Sequence, residues 1–318
     1  MKTLMLDLWY LGHFLAAEVA GRLPGRLLRP AAIDGLAGLS WRLSRDKRRR
    51  VERHVELAFG AALSNRDKRA ITRACFRDFW QEMVDWVPGA ISGTSPEDIP
   101  VHGLEHLQRA LADGRGAILW ESNGFGRRVR GKRALHAHGV RLYQTHGETH
   151  LGVMDTPPGP GTWIRQRLLR GTYERRERAF VAEIVHIPLD PTVASGRAYL
   201  KHLRTNRVLC MAGDGQIARK RYAVNLLGRS VELAPGAVKL AWLSGAPLLP
   251  VFWVPEDGEG PALEIGPPIR PEGEGDAAVV ACLQAFASAL DKHVRRWPRA
   301  YRTWHLLGET AAGEVRAE

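Results

Sequence analysis

The sequence predicts an α/β fold, a mixed sheet flanked by helices and preceded by an N-terminal helical region. Two patterns and one bulk property predict it. Up to residue 90 the apolar residues recur at helical spacing. After Pro100 short apolar runs alternate with helix-length stretches, as strands with helices between them do. The chain has 318 residues, 45% of them hydrophobic, with 33 Gly and 19 Pro, enough for one large core with a helical appendage.

The first helix carries Leu4, Leu8, Leu11, Leu15 and Val19 on one stripe, with Trp9, Tyr10 and Phe14 nearby. Asp7, His13 and Glu18 spoil it as a membrane span, and Asp7 interrupts any cleaved leader. The stripe suits a helix lying in a bilayer interface, or one that packs on the body of the protein. Pro24 and Pro30 are expected to break the chain, and a second helix to run over 33–59 through the basic run 45–50. Ser64 with Asp67 resembles a capping box that opens a third helix, with Ile71, Cys75, Phe79 and Met83 on one face and Trp80 and Trp86 adding bulk. The Gly/Ser/Thr/Pro-rich stretch 89–100 reads as a linker. Strands are expected at 117–120, 140–144, 184–189, 208–212, 231–233, 248–254 and 263–266. Helices are expected at 104–113, 127–138, 194–205, 236–244 and 276–297. The organisation is thus a membrane-surface helical region, 1–90, and an α/β domain, 101–310. In such sheets ligands sit beyond the carboxyl ends of strands, so the loops after Trp120 and Ala212 are the first places for a site.

Composition narrows the function. Cys75, Cys210 and Cys282 stand far apart, which argues for buried, reduced thiols and against a disulfide framework or a thiolate zinc site. The net charge of +12 and pI near 10.1 imply a polyanionic partner. The basic clusters at 45–50, 127–133, 165–178, 219–221 and 295–302 are spread in a way that suits a face assembled by folding. An RNP-like run and zinc-finger spacing are both absent, so nucleic acid is not the expected partner and an anionic membrane surface is. GxGxxG, GxxxxGK[ST] and GxSxG are absent as well, so neither a nucleotide cofactor nor an ordinary serine esterase has support, and no cofactor is expected. His136, His138, His146 and His150 lack matching carboxylates or cysteines at ligand spacing, and no metal is assigned to them.

Three stretches carry a resemblance. The first is Gly116-Ala117-Ile118-Leu119-Trp120-Glu121-Ser122-Asn123-Gly124-Phe125-Gly126. The second runs from Val208 through Gly213-Asp214-Gly215-Gln216 and Asn225-Leu226-Leu227-Gly228-Arg229 to Ser244-Gly245-Ala246-Pro247-Leu248-Leu249-Pro250. The third is Arg295-Arg296-Trp297-Pro298 with Trp304-His305. Their order and spacing resemble the bacterial lipid A late acyltransferases and the lysophospholipid acyltransferases, over nearly the whole chain. The resemblance implies acyl transfer from a thioester, acyl carrier protein or acyl-coenzyme A, to a hydroxyl or amine acceptor. It also implies a peripheral protein on the cytoplasmic side of the inner membrane. It makes Asp214 a site residue, and Arg128, Arg167, Arg170 and Arg229 candidates for substrate binding; Arg165 stands in the same arginine-rich region.

The chain departs from that family at its catalytic motif. The family has His-x4-Asp/Glu, the His taking the acceptor's proton. Here Asn123 stands at the His position and Arg128 at the carboxylate position. Neither an amide nor a guanidinium serves as a base, although Asn123 can donate a hydrogen bond. Three readings stay open. Glu121 replaces the His as base, its pKa raised by burial; the fold binds without catalysing; or one of the histidines at 136, 138, 146 and 150 returns to the site.

Overall fold

The computed structural model describes residues 2–91, 94–147, 151–152, 154, 161–188, 193–214, 220–255, 261–304 and 307. Four helices come first: α1 (Lys2–Arg22), α2 (Gly25–Leu43), α3 (Arg45–Phe59) and α4 (Asn65–Asp85). Pro24 ends the first helix as expected. Pro30 does not break the second: as its sixth residue it lies past the first turn, and the helix continues with one N–H bond fewer. The helix expected over 33–59 is two helices, parted at Ser44 with φ −89° and ψ 62°. Ser64 caps α4 by accepting from the Asp67 N–H at 3.2 Å. Tyr10, Phe14 and Ala17 of α1 and Ile71, Cys75 and Met83 of α4 are buried, while Leu4, Leu8, Leu15 and Val19 stay exposed.

Then come β1 (Val101–His102), α5 (Leu104–Ala112), β2 (Ala117–Glu121), α6 (Arg128–Ala137) and β3 (Leu142–Gly147). A π-helical segment, Ile164–Arg170, runs into α7 (Gly171–Glu177). It is followed by β4 (Glu183–Ile187), α8 (Val193–Arg204), β5 (Val208–Ala212), β6 (Tyr222–Leu226), β7 (Arg229–Leu233), α9 (Gly236–Ser244), β8 (Leu248–Val254), β9 (Ala262–Ile265) and α10 (Gly275–Arg296). The sheet has seven strands in the order β1-β9-β8-β2-β5-β3-β4, and β6 and β7 form a separate antiparallel hairpin. Its strands pair in parallel except at β8–β9, so the sheet is mixed. The short β1 and the alternating β6 lie outside the expected strands.

Side chains alternate between the two faces. Leu119 of β2, Cys210 of β5 and Leu249 of β8 join the N-terminal helices in one apolar core, and Ile118, Trp120, Leu209 and Phe252 join α9 and α10 in the other. The three cysteines are buried thiols. Among the described residues no helix is long and apolar enough to cross a membrane.

The helical region is tied to the sheet domain at the amino end of α6. Asp85, the fully buried last residue of α4, takes Arg127 by two nitrogens (Nε at 2.8 Å) and stands 3.5 Å from Arg130 Nε. Glu82 accepts the Val129 N–H at 3.4 Å. Carboxylates there also meet the positive end of the helix dipole. Asp85→Ala leaves two arginines without this partner and is expected to cost about 3 kcal/mol or more, measured by urea unfolding.

Candidate active site

The turn after β2 is held from three sides. Asp214, two residues beyond β5, accepts Ser122 Oγ at 2.6 Å, the Asn123 N–H at 2.7 Å and the Gly124 N–H at 3.2 Å. The closing segment supplies the second side. The Arg302 N–H donates to Gly124 O at 2.8 Å, Gly126 donates to Ala300 O at 2.9 Å, and the Arg302 guanidinium takes the carbonyls of Asn123 and Gly126. Gly124 has to be glycine, because a Cβ would stand 1.7 Å from Thr303 Oγ1. The third side is α6, whose Arg128 Nη1 donates to Asn123 Oδ1 at 2.7 Å. The segment between the two halves of the third stretch is therefore paired in space with the first, and Asp214 of the second holds the same turn.

The Asn123–Arg128 contact keeps the five-residue spacing of a base and its orienter, with the polarity reversed. Arginine only donates, so the Asn123 carbonyl must face it and the amide N–H₂ is what remains for a ligand. The same Arg128 nitrogen lies 3.9 Å from Glu121. Glu121 also has Lys132 Nζ at 3.5 Å and accepts Gln144 Nε2 at 3.3 Å. Lys132 reaches on to Glu177 at 3.2 Å, whose other oxygen is 2.8 Å from His146 Nε2. Glu121, Lys132, His146 and Glu177 are all buried.

This surrounding corrects one expectation. Burial pushes the Glu121 carboxyl up, but Lys132 and Arg128 outweigh it and hold the group below its ordinary value, not above it. Glu177 behaves alike: burial pushes it up, while Lys132 and His146 bring it down to about 2. Lys132 is held up by the same two carboxylates against its own burial.

Glu121 lines a cavity of about 900 Å³, and Lys132 and Glu177 stand behind it. Glu121, Asn123, Arg128, His146 and Asp214 form its polar centre. One arm runs among Leu226, Val231, Leu233, Leu240 and Leu290, of the hairpin, α9 and α10. The other reaches Trp9, His13, Lys47, Arg50 and Phe79 of the N-terminal helices. Arg167, Arg170 and Arg229 do not line it: Arg167 is exposed, Arg170 pairs with Glu174 at 3.1 Å, and Arg229 begins β7. Neighbouring Arg165 is buried against Asp7 of α1. His136 and His138 are exposed on α6, and His150 and residues 215–216 lie outside the described residues. Among the described residues no group of three or more His, Cys, Asp or Glu could hold a metal ion. Sequence reasoning missed Lys132, Gln144 and Glu177. Lys132 is one helical turn from Arg128 and so was legible by spacing; Glu177 gave no local signal.

Residues 192–307 match the family model described as bacterial lipid A biosynthesis acyltransferase. That stretch holds Asp214 and the closing segment, and leaves Asn123 and Arg128 outside it. The chain is 26% identical over 246 residues to a phosphatidylinositol mannoside acyltransferase of Mycolicibacterium smegmatis, covering 74% of this chain and 69% of that protein. A phosphatidylinositol mannoside acyltransferase of Mycobacterium tuberculosis (strain CDC 1551 / Oshkosh) is 25% identical over 224 residues, 66% of this chain and 59% of its own length. These matches bear out the resemblance to the lipid A-type late acyltransferases and support an acyltransferase.

Two outcomes test the geometry. Asp214→Ala is expected to keep the fold, judged by circular dichroism, while hydrogen exchange at the Asn123 and Gly124 amides rises. The second concerns pH. Glu177 is depressed when folded, so its stabilisation is complete above its ordinary value of 4.5 and disappears as pH falls toward about 2. The stability difference between wild type and Glu177→Gln, from urea midpoints, should shrink through that window.

Proposed function

We propose that the chain, as a relative of the lipid A-type late acyltransferases, transfers an acyl group from a thioester donor to a hydroxyl or amine acceptor at a membrane surface. Acyl carrier protein or acyl-coenzyme A is the donor. The cytoplasmic face of the inner membrane is the place, and the helical region 1–90 is the part that meets it. The observation that carries this reading is the cavity of about 900 Å³, which joins apolar residues of the hairpin, α9 and α10 and polar residues at the end of β2 with residues of the N-terminal helices.

The N-terminal part of the cavity lining adjoins the surface a membrane would touch. Leu4, Met5, Leu8, Trp9, Leu15 and Val19 of α1 are exposed, as are Leu27, Leu28, Leu39 and Leu43 of α2. Trp9 belongs to both the stripe and the cavity, its ring tilted at 45° to that of His13 with centroids 3.8 Å apart. Trp163 and Leu168, exposed beside Arg167, lie on the segment that Arg165 and Asp7 fasten to α1. Apolar residues ringed by Lys47, Arg50 and Arg167 are what an interfacial helix presents to anionic lipid. In this reading Arg167 and Arg170 meet headgroups outside the cavity, and Arg229 a phosphate near the hairpin. Inside the cavity Arg128 orients Asn123, and Asp214 positions the turn that holds it.

The test is co-sedimentation with phosphatidylglycerol-containing vesicles, together with release of coenzyme A from palmitoyl-coenzyme A. Each Lys or Arg near an anionic surface is worth about 1 kcal/mol, so binding should fall steeply with salt. Leu8→Glu should weaken binding without unfolding the protein, and Asp214→Ala should abolish turnover. Indifference to the vesicles at low salt, with no release of coenzyme A, would overturn the reading.

A further inference from the structure

We infer that the acceptor is an amine, so that the product is an amide and not an ester. This deepens the acyltransferase reading and rests on it. The argument is the sign and direction of the groups at the end of β2. A hydroxyl needs a base that removes its proton as it attacks. At the position where such a base would stand, Asn123 has its carbonyl committed to Arg128 at 2.7 Å and offers only N–H. Asp214 is committed to the turn by three hydrogen bonds. Glu121 is the carboxylate left facing the cavity, gripped by Lys132 at 3.5 Å and with Arg128 at 3.9 Å.

A carboxylate of low proton affinity is poorly suited to deprotonating an alcohol. An amine asks less of it, because the nitrogen attacks with its own lone pair and sheds its proton only after the C–N bond has formed. A neutral amine attacks the thioester carbon with its own lone pair, forming the C–N bond and placing the carbonyl π pair on oxygen. The Asn123 N–H₂ donates to that oxyanion. Glu121 takes one proton from the nitrogen, now positively charged. The oxyanion collapses, the C–S bond breaks, and the thiolate leaves with the proton from Glu121. The sum is thioester plus amine giving amide plus thiol, with Glu121 returned to its carboxylate. Arg128 holds both Asn123 and Glu121, so donor and acceptor stand side by side.

The probe is lysophosphatidylethanolamine, which carries one free hydroxyl and one primary amine, presented in vesicles with palmitoyl-coenzyme A. Lysophosphatidylcholine, which has the hydroxyl and lacks the amine, is the control. The expected product is N-acylated: the transferred palmitoyl group stays on the ethanolamine nitrogen through mild alkali, which removes only the probe's own acyl ester, and the control gives no alkali-stable palmitoyl. Glu121→Gln is expected to lower its rate about 10²–10⁴-fold, and Asn123→Ala about 10²-fold. The nature of the wild-type product decides the question even if a variant fails to fold. An alkali-labile ester, or coenzyme A release without transfer, overturns the assignment while leaving the acyltransferase reading standing. Loss of that ester in His146→Gln would move the base to the His146–Glu177 pair. Absence of any coenzyme A release overturns both.

Discussion

Lys132 lies between two carboxylates, 3.5 Å from Glu121 and 3.2 Å from Glu177, and the site is arranged around that ammonium. All three groups are buried, where an uncompensated charge costs several kcal/mol. The arrangement therefore closes only if positive and negative groups balance. Arg128 and Lys132 answer Glu121 and Glu177, with His146 at the far end. Arg128 and Lys132 with Glu177 alone would leave the cluster too positive, and Glu121 offsets it. On this account Glu121, Asn123 and Arg128 form one interdependent set.

The fold supplies that set with a frame. The parallel strands β2, β5 and β3 deliver Glu121, Asp214 and His146 to one end of the sheet. Asp85 and Glu82 fasten the start of α6, which sets where Arg128 and Lys132 fall. Residues 300–302 pair with the turn that carries Asn123, so the closing segment is part of the site wall and not an appended tail. Elements far apart in sequence thus converge through hydrogen bonds to one short turn.

What the sequence made legible follows from how local each signal was. The runs 208–212, 236–244 and 248–254 were read to the residue because they are apolar throughout or open at a clear Pro-Gly boundary. The strand β6 hid because Tyr222, Val224 and Leu226 bury only one face and follow Lys220 and Arg221. Glu121, Asn123, Arg128 and Asp214 were named and do meet, since motif order carried them. Arg167, Arg170 and Arg229 are away from the cavity, because the arginine that turns inward in that region is Arg165, and it serves Asp7. No local pattern distinguishes an arginine bound for a helix partner from one bound for a ligand. The Glu121 pKa was legible only in part: burial could be foreseen, whereas Lys132 required the packing of α6 on the sheet.

The exposed apolar side of α1 follows from the same economy of burial. The N-terminal helices cover one face of the sheet with Tyr10, Phe14, Trp80 and Met83, which leaves the opposite side of α1 apolar and uncovered. A soluble scaffold would cover or polarise that side, and here it adjoins the cavity through Trp9. The basic residues Lys47 and Arg50 line the same cavity. An acyl donor carries a long apolar chain and a polyanionic or acidic carrier, and a bilayer offers the same two chemistries. The exposed leucines and the cations Lys47 and Arg50 offer both chemistries, and in the proposed reading the surface that meets the membrane also adjoins the cavity.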